Sequence, residues 1–428
     1  MVYNWKVGWD RVKILSLLVQ EILMWVTMGG RFFRKVKRTG MRRNYLLLGA
    51  AVALLGLALG VSPALAQSGA AAEPFMGDLL CLPEAYSQAG NNCLPMGPAQ
   101  TLTQLDQQGL SFPLRPLPAA RPDASLAMVD IGFAKINLEN YEPAPVYSTL
   151  ADAVGGVNQT RALQPGALRY VSYVNWQDVD GKTFVQLTTG EWVRAGRARY
   201  SGFQGLEFRS TPRNDFGWII DNTGVRRGPG YASPETGTVL PRESVVQVYE
   251  ITEQDGTKWY RIGLSQWVER RYIRIVSVNP QAPQGVDNNR WIEVNLYEQT
   301  LSVYENGQLK FATLITTGQD PFFTQPGLFQ IYKKVERETM TGAFEADRSD
   351  YYSLQDVPWT MYYDQARALH GAYWRTWFGY PGSHGCVNLS IGDSRYLFDW
   401  AHEGDWVYVW DPSGQTPTDP ARYGSGGA

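Results

Sequence analysis

The sequence predicts a mainly β protein: two small barrels followed by a larger β-rich domain. Three observations carry that prediction. The middle of the 428-residue chain repeats itself, with an Asp-Gly pair between β-rich runs in each copy. Later, Ile292, Val294 and Leu296 alternate with polar partners, as do Leu301 and Val303, which is the period of a half-buried strand. Asn306-Gly307 then separates that run from Phe311 to Ile315, and an Asn-Gly pair suits the positive φ of a tight hairpin turn. Phe329 and Ile331 extend the alternation beyond Pro326-Gly327.

The first copy of the repeat contains Pro165 to Val171, Asp180 to Leu187 and Gly190 to Val193. The second contains Pro241 to Val248, Asp255 to Ile262 and Ser265 to Val268. Phe184 corresponds to Trp259, and Trp192 to Trp267, a pair expected to fill the cores. Short strands, tight turns and about 75 residues per unit suggest small barrels over 127–205 and 206–278. The arrangement resembles bacterial SH3-like domains.

Upstream, the chain reads as targeting sequence. From Met41, Arg42-Arg43, an apolar run from Tyr45 to Val61 and Ala64-Leu65-Ala66 form a secretory signal over 41–66. Residues 1–40 are a basic extension, read as a stretch upstream of the true start. An uncleaved membrane anchor is the other reading. Ten of the 39 Lys and Arg, but two of the 41 Asp and Glu, precede Gln67. The exported remainder is therefore acidic, about −10, and an acidic surface disfavours a nucleic-acid partner. Residues 67–126, rich in Pro, Ala and Gln, read as a loose spacer with one short helix near Ala99 to Gln107. In an oxidising compartment Cys81 and Cys93 are expected to pair, which stabilises the fold by roughly 3 kcal/mol. Residues 279–287 read as a linker, 288–411 as the β-rich domain and 412–428 as a disordered tail.

The chemistry concentrates in Ser383-His384-Gly385-Cys386-Val387-Asn388. If Cys81 and Cys93 pair, Cys386 is the odd thiol, and a thiol becomes a nucleophile beside a base. A buried structural cysteine and a His-Cys zinc corner are the alternatives. Three cysteines and three histidines are too few for an easy four-ligand zinc site, so no metal is expected. Ser390-Ile391-Gly392-Asp393 then resembles a capping box, opening a helix through Leu397 and Trp400 with Gly404 as its stop. Its N-terminal dipole would favour a thiolate at Cys386. His402, near the helix end, reads as a surface group.

With His370-Gly371-Ala372-Tyr373-Trp374 before it, this stretch resembles the signature of the YkuD-like L,D-transpeptidases. The gap from His370 to Ser383 is shorter than usual there, and Thr324-Gln325-Pro326-Gly327 carries its proline one place late. The resemblance spans roughly 290–410 and implies a YkuD-type β-sandwich. It implies Cys386 as nucleophile, His370 as base, and the Gly371 carbonyl orienting that imidazole. Ser383, His384 and Gly385 would shape the loop and oxyanion site; Tyr373, Trp374 and Asn388 would line or lock the substrate groove. The implied partners are peptidoglycan stem peptides, as donor and acceptor, and no cofactor is needed. The implied reaction is a 3→3 cross-link made through a thioester with loss of D-alanine, and carbapenems would acylate Cys386. An L,D-carboxypeptidase, another cysteine peptidase, and a non-catalytic wall-binding protein are the alternatives.

Overall fold

The computed structural model describes residues 79–80, 93–94, 110 and 116–423, except positions 344 and 346. The basic extension, the signal sequence, the Ala99–Gln107 helix and the Cys81–Cys93 pairing fall outside the described residues. Leu79–Leu80 and Cys93–Leu94 pair as a small sheet of their own. No helix among the described residues is long and apolar enough to cross a membrane.

The turns form where the sequence predicts them. Asp180-Gly181, Asp255-Gly256 and Asn306-Gly307 all have both residues at positive φ, between +51° and +73°. Two successive left-handed residues match the twist of paired strands. Each turn therefore closes an antiparallel hairpin, the third joining Thr300–Glu305 to Gln308–Leu314.

Around that third hairpin lies a β-sandwich. One sheet runs in the order Gly327–Gln330, Trp406–Trp410, Arg290–Asn295, Thr300–Glu305, Gln308–Leu314. The facing sheet contains Lys333–Gly342, Tyr352–Asp364, Arg367–Gly371 and Val387–Leu389. Ile292, Val294, Val303 and Phe311 from the first pack against Met361, Leu369, Val387 and Leu389 from the second. Alternation along each strand drives this, because every second side chain reaches the shared core.

The upstream β units are joined to this sandwich. The long strand Leu168–Val179 runs parallel to Tyr352–Asp364, with Leu168 opposite Tyr352 and Tyr170 opposite Leu354, so the first unit prolongs the second sheet of the sandwich. Leu206–Phe208 lies within the predicted second module, yet it pairs with Gln308–Leu314 and extends the other sheet, as does Ala119–Ala120 from the predicted spacer. The second unit adds a three-stranded and a five-stranded sheet. Its Phe216, Trp218 and Ile220 share one core with Trp291, Tyr304 and Leu309 of the sandwich. Trp192, Trp267, Phe184 and Trp259 are all buried.

Two local readings change. The helix spans Ile391–Trp400 and Ser390 Oγ accepts the Asp393 N–H at 3.2 Å, as a cap should. It ends at Ala401, and Gly404 instead gives its N–H to Ile331 O at 2.7 Å, in the turn before the Trp406 strand. Ala401 takes extended angles, φ −77° and ψ 147°, and that ends the helix. The tail is the second change. Asp411 accepts the Ser413 and Thr416 amides, both at 2.8 Å, and Tyr423 is buried with its carbonyl bound to Arg367. Residues 412–423 therefore follow a defined path.

Candidate active site

Parallel pairing brings the Cys386 and His370 segments together. Leu369 lies opposite Val387 and His370 opposite Asn388. Leu369, Val387 and Leu389 enter the core, so by strand alternation His370 and Asn388 face the other way. Cys386 is two residues before Asn388, on the same side. All three line one cavity of about 270 Å³, with Trp374, Arg375 and His384. Its lining also includes Met340, Tyr352, Leu354 and, from the upstream unit, Leu168. A larger cavity of about 490 Å³ lies in the first β unit and holds none of these residues.

Burial sets the electrostatics. Loss of hydration pushes the Cys386 thiol up to about 11, against the smaller effects of the Ala368 N–H and the Arg367 charge. It also lowers His370 to about 4, an effect reinforced by Arg375. Both groups are thus neutral at pH 7. His370 Nδ1 lies 3.3 Å from Gly371 O, and the ring packs at 5.6 Å against Trp374.

A hydrogen-bonded frame holds the loop. Ser383 Oγ donates to Cys386 O at 2.6 Å and accepts the Gly385 N–H at 3.2 Å. That amide thereby closes the loop internally. Gly385 has φ +117°, a conformation that a side chain would strain. Thr324 Oγ1 donates to Gly385 O at 2.8 Å while accepting the Gly318 N–H at 2.9 Å. Asn388 exchanges main-chain bonds with Thr316 at 3.0 and 2.8 Å. His384 is exposed and stacks on Tyr352 at 5.9 Å.

The segment between His370 and Ser383 is gripped from both upstream units. Tyr373 is fully buried and does not line the groove, unlike its predicted role. Its ring is sandwiched in apolar contacts with Phe133 and Tyr170, and its hydroxyl donates to Gln355 O at 2.6 Å. At the other end Phe378 enters the core with Phe216 and Trp218, and Arg274 Nε donates to Gly379 O at 2.9 Å.

Three contributors escape sequence reasoning: Leu168, Thr324 as a brace, and Arg375. For Arg375 a signal exists, because no acidic residue occurs between Asp364 and Asp393. The side chain of Arg375 bonds to Gly382 O and, among the described residues, has no carboxylate partner. Desolvation lowers it to about 10.

A family model described as the L,D-transpeptidase catalytic domain, YkuD, matches residues 289–409. No curated protein matches the chain. Among solved structures, an L,D-transpeptidase from Stackebrandtia nassauensis is 27% identical, with 32% of this chain and 60% of that one covered and a TM-score of 0.25. The catalytic domain of an E. faecium L,D-transpeptidase is 27% identical, covering 29% of this chain and 100% of that one, TM-score 0.27. One from Mycobacterium smegmatis is 19% identical, covering 40% and 75%, TM-score 0.27. The chain thus spans under two thirds of the Stackebrandtia protein. The matched segment contains every residue lining the cavity except Leu168, the two strands that pair at His370 and Asn388, and the whole gripped loop, and on that correspondence residues 289–409 are a YkuD-type L,D-transpeptidase catalytic domain.

Proposed function

We propose that the protein is an extracytoplasmic peptidoglycan L,D-transpeptidase that forms 3→3 cross-links through a Cys386 thioester. The observation that carries this reading is the parallel pairing of the strand bearing His370 with the strand that begins directly after Cys386, with both residues lining one cavity. Neutral His370 takes the thiol proton as sulfur attacks the carbonyl of the third residue of a tetrapeptide stem. Main-chain N–H groups of the loop at Cys386 stabilise the oxyanion. The tetrahedral adduct collapses, its C–N bond breaks, and the imidazolium returns the proton to the departing D-alanine amine. A side-chain amine of a second stem then attacks the thioester, losing its proton to His370, and the thiol is restored. The Gly371 carbonyl holds the Nδ1–H tautomer, which leaves Nε2 as the base.

Water in place of the second amine would make the same site an L,D-carboxypeptidase. The test is mass spectrometry of the full chain with a carbapenem and then with disaccharide-tetrapeptide. A carbapenem adduct on wild type, absent from Cys386→Ala, with release of D-alanine and a dimeric product, is expected. An unmodified wild type that releases no D-alanine overturns the reading; D-alanine release yielding tripeptide alone assigns the carboxypeptidase.

A further inference from the structure

We propose that Arg375 is a specificity-determining residue that recognises a carboxylate of the donor stem. This rests on the function proposed above. Arg375 lines the cavity with Cys386 and His370, and its charge is felt by both His370 and His384. It thus shares one cavity lining with the two residues proposed to react.

Arg375 is half-buried, and a cation partly withdrawn from water normally has an anionic partner, because desolvating an unpaired charge is costly. Arg367, eight residues earlier, obeys that rule, bonding Asp364 at 2.6 Å. Arg375 does not. One arm of its fork is held by the Gly382 carbonyl, and its main chain is fixed by the Ser201 N–H to Arg375 O bond at 2.9 Å. Its Nε has no partner among the described protein atoms. Anchoring a single neutral carbonyl does not require a guanidinium; a neutral donor would serve. A planar fork fixed at one corner beside a nucleophile matches a carboxylate, which it can meet with two parallel N–H bonds. Donor stems carry carboxylates at the chain terminus and, for some diamino acids, on the third side chain. Either presents the same chemistry.

The test measures binding apart from turnover. Calorimetry on the full-length Cys386→Ala chain, with and without Arg375→Gln, uses three synthetic tetrapeptides: the free acid, its C-terminal amide and its side-chain amide. The Gln variant keeps an N–H donor for Gly382 O. The Cys386→Ala chain is expected to bind one of the amides about ten- to hundredfold more weakly than the free acid, and which one identifies the carboxylate read. With Arg375→Gln added, acid and amide are expected to bind alike. Equal binding of all three peptides before the Arg375 change overturns the proposal, as does discrimination that survives it. Failure of the proposed activity shows separately, as wild type that binds the free acid and does not turn it over.

Discussion

The ring of Phe133 lies 3.8 Å from that of Tyr373, with the planes 9° apart. Phe133 belongs to the upstream strand Gly132–Lys135, whereas Tyr373 is three residues beyond His370. Tyr373 in turn meets Trp374 edge-on at 4.9 Å, and Trp374 packs on His370. A residue outside the matched segment thus reaches, through Tyr373 and Trp374, the imidazole proposed as the base.

Replacing Phe133 with Ala should therefore act on both stability and rate. Loss of a buried aromatic costs about 3–5 kcal/mol, and Phe133→Leu should recover much of it. At a temperature where both variants remain folded, carbapenem acylation of Cys386 should slow in the Ala variant and recover in the Leu variant. Stopped-flow acylation alongside circular dichroism checks this. An Ala variant that is destabilised yet acylates at the wild-type rate would show that the stack supports the fold alone.

Burial also dictates the pH profile. His370 titrates near 4 when folded, below its ordinary 6.5, so the base form persists through neutral pH. The thiol is held up near 11, so the attack starts from a neutral pair. The second-order rate of acylation should stay flat between about pH 5.5 and 8 and fall only toward pH 4. The sign for stability follows: this histidine's contribution is present above 6.5 and is lost as pH falls toward 4. A stopped-flow pH series checks the rate profile, and a rate that climbs steadily across that flat window, as it would if a thiolate had to form first, overturns the neutral pair. Removing the Arg375 charge should move the His370 limb upward.

The sequence makes local features readable and distant ones obscure. Asp180-Gly181 and Asn306-Gly307 specify their turns because the required positive φ is a property of those residues alone. Cys386 and His370 are readable because rare residue types recur in a known order. The parallel pairing of Leu168 with Tyr352 is not readable, since it joins strands 184 residues apart with no local turn to set the register. Tyr373 shows the same limit. An aromatic beside a catalytic histidine suits a groove or a core equally, and only the arrival of Phe133 and Tyr170 decides. The helix stop misleads because Gly404 does have positive φ, in a turn that serves the following strand.

Thr324 tests the frame around the nucleophile. Its hydroxyl joins Gly318 N–H to Gly385 O while almost wholly buried, and Gly385 adjoins Cys386. Thr324→Val keeps the shape and leaves both main-chain groups unsatisfied, at a cost of about 1–3 kcal/mol. Denaturant midpoints should fall accordingly. Acylation should slow, while Thr324→Ser, which keeps the hydroxyl, should retain most of the wild-type rate. Equal rates in the Val and wild-type chains would detach this bridge from the site.

Asp393 connects the helix that follows the nucleophile to the strand added at Leu206. Its carboxylate accepts the Gly205 N–H at 2.8 Å and the Thr313 hydroxyl at 2.5 Å, and desolvation raises it to about 6. Because the folded value exceeds the ordinary 3.8, this group's contribution is full below 3.8 and is lost as pH rises through 6. Asp393→Asn can still accept from Gly205, and its amide can donate to Thr313, without ionising. The variant should therefore gain on wild type as pH rises from about 4.5 to 7.5. Asp393→Ala should lose about 1–3 kcal/mol for the two partners left bare. Urea unfolding of the three chains at both pH values decides the matter. A wild-type to Asn difference that does not change with pH would mean that the carboxyl titrates at its ordinary value, hydrated despite its place between helix and sheet.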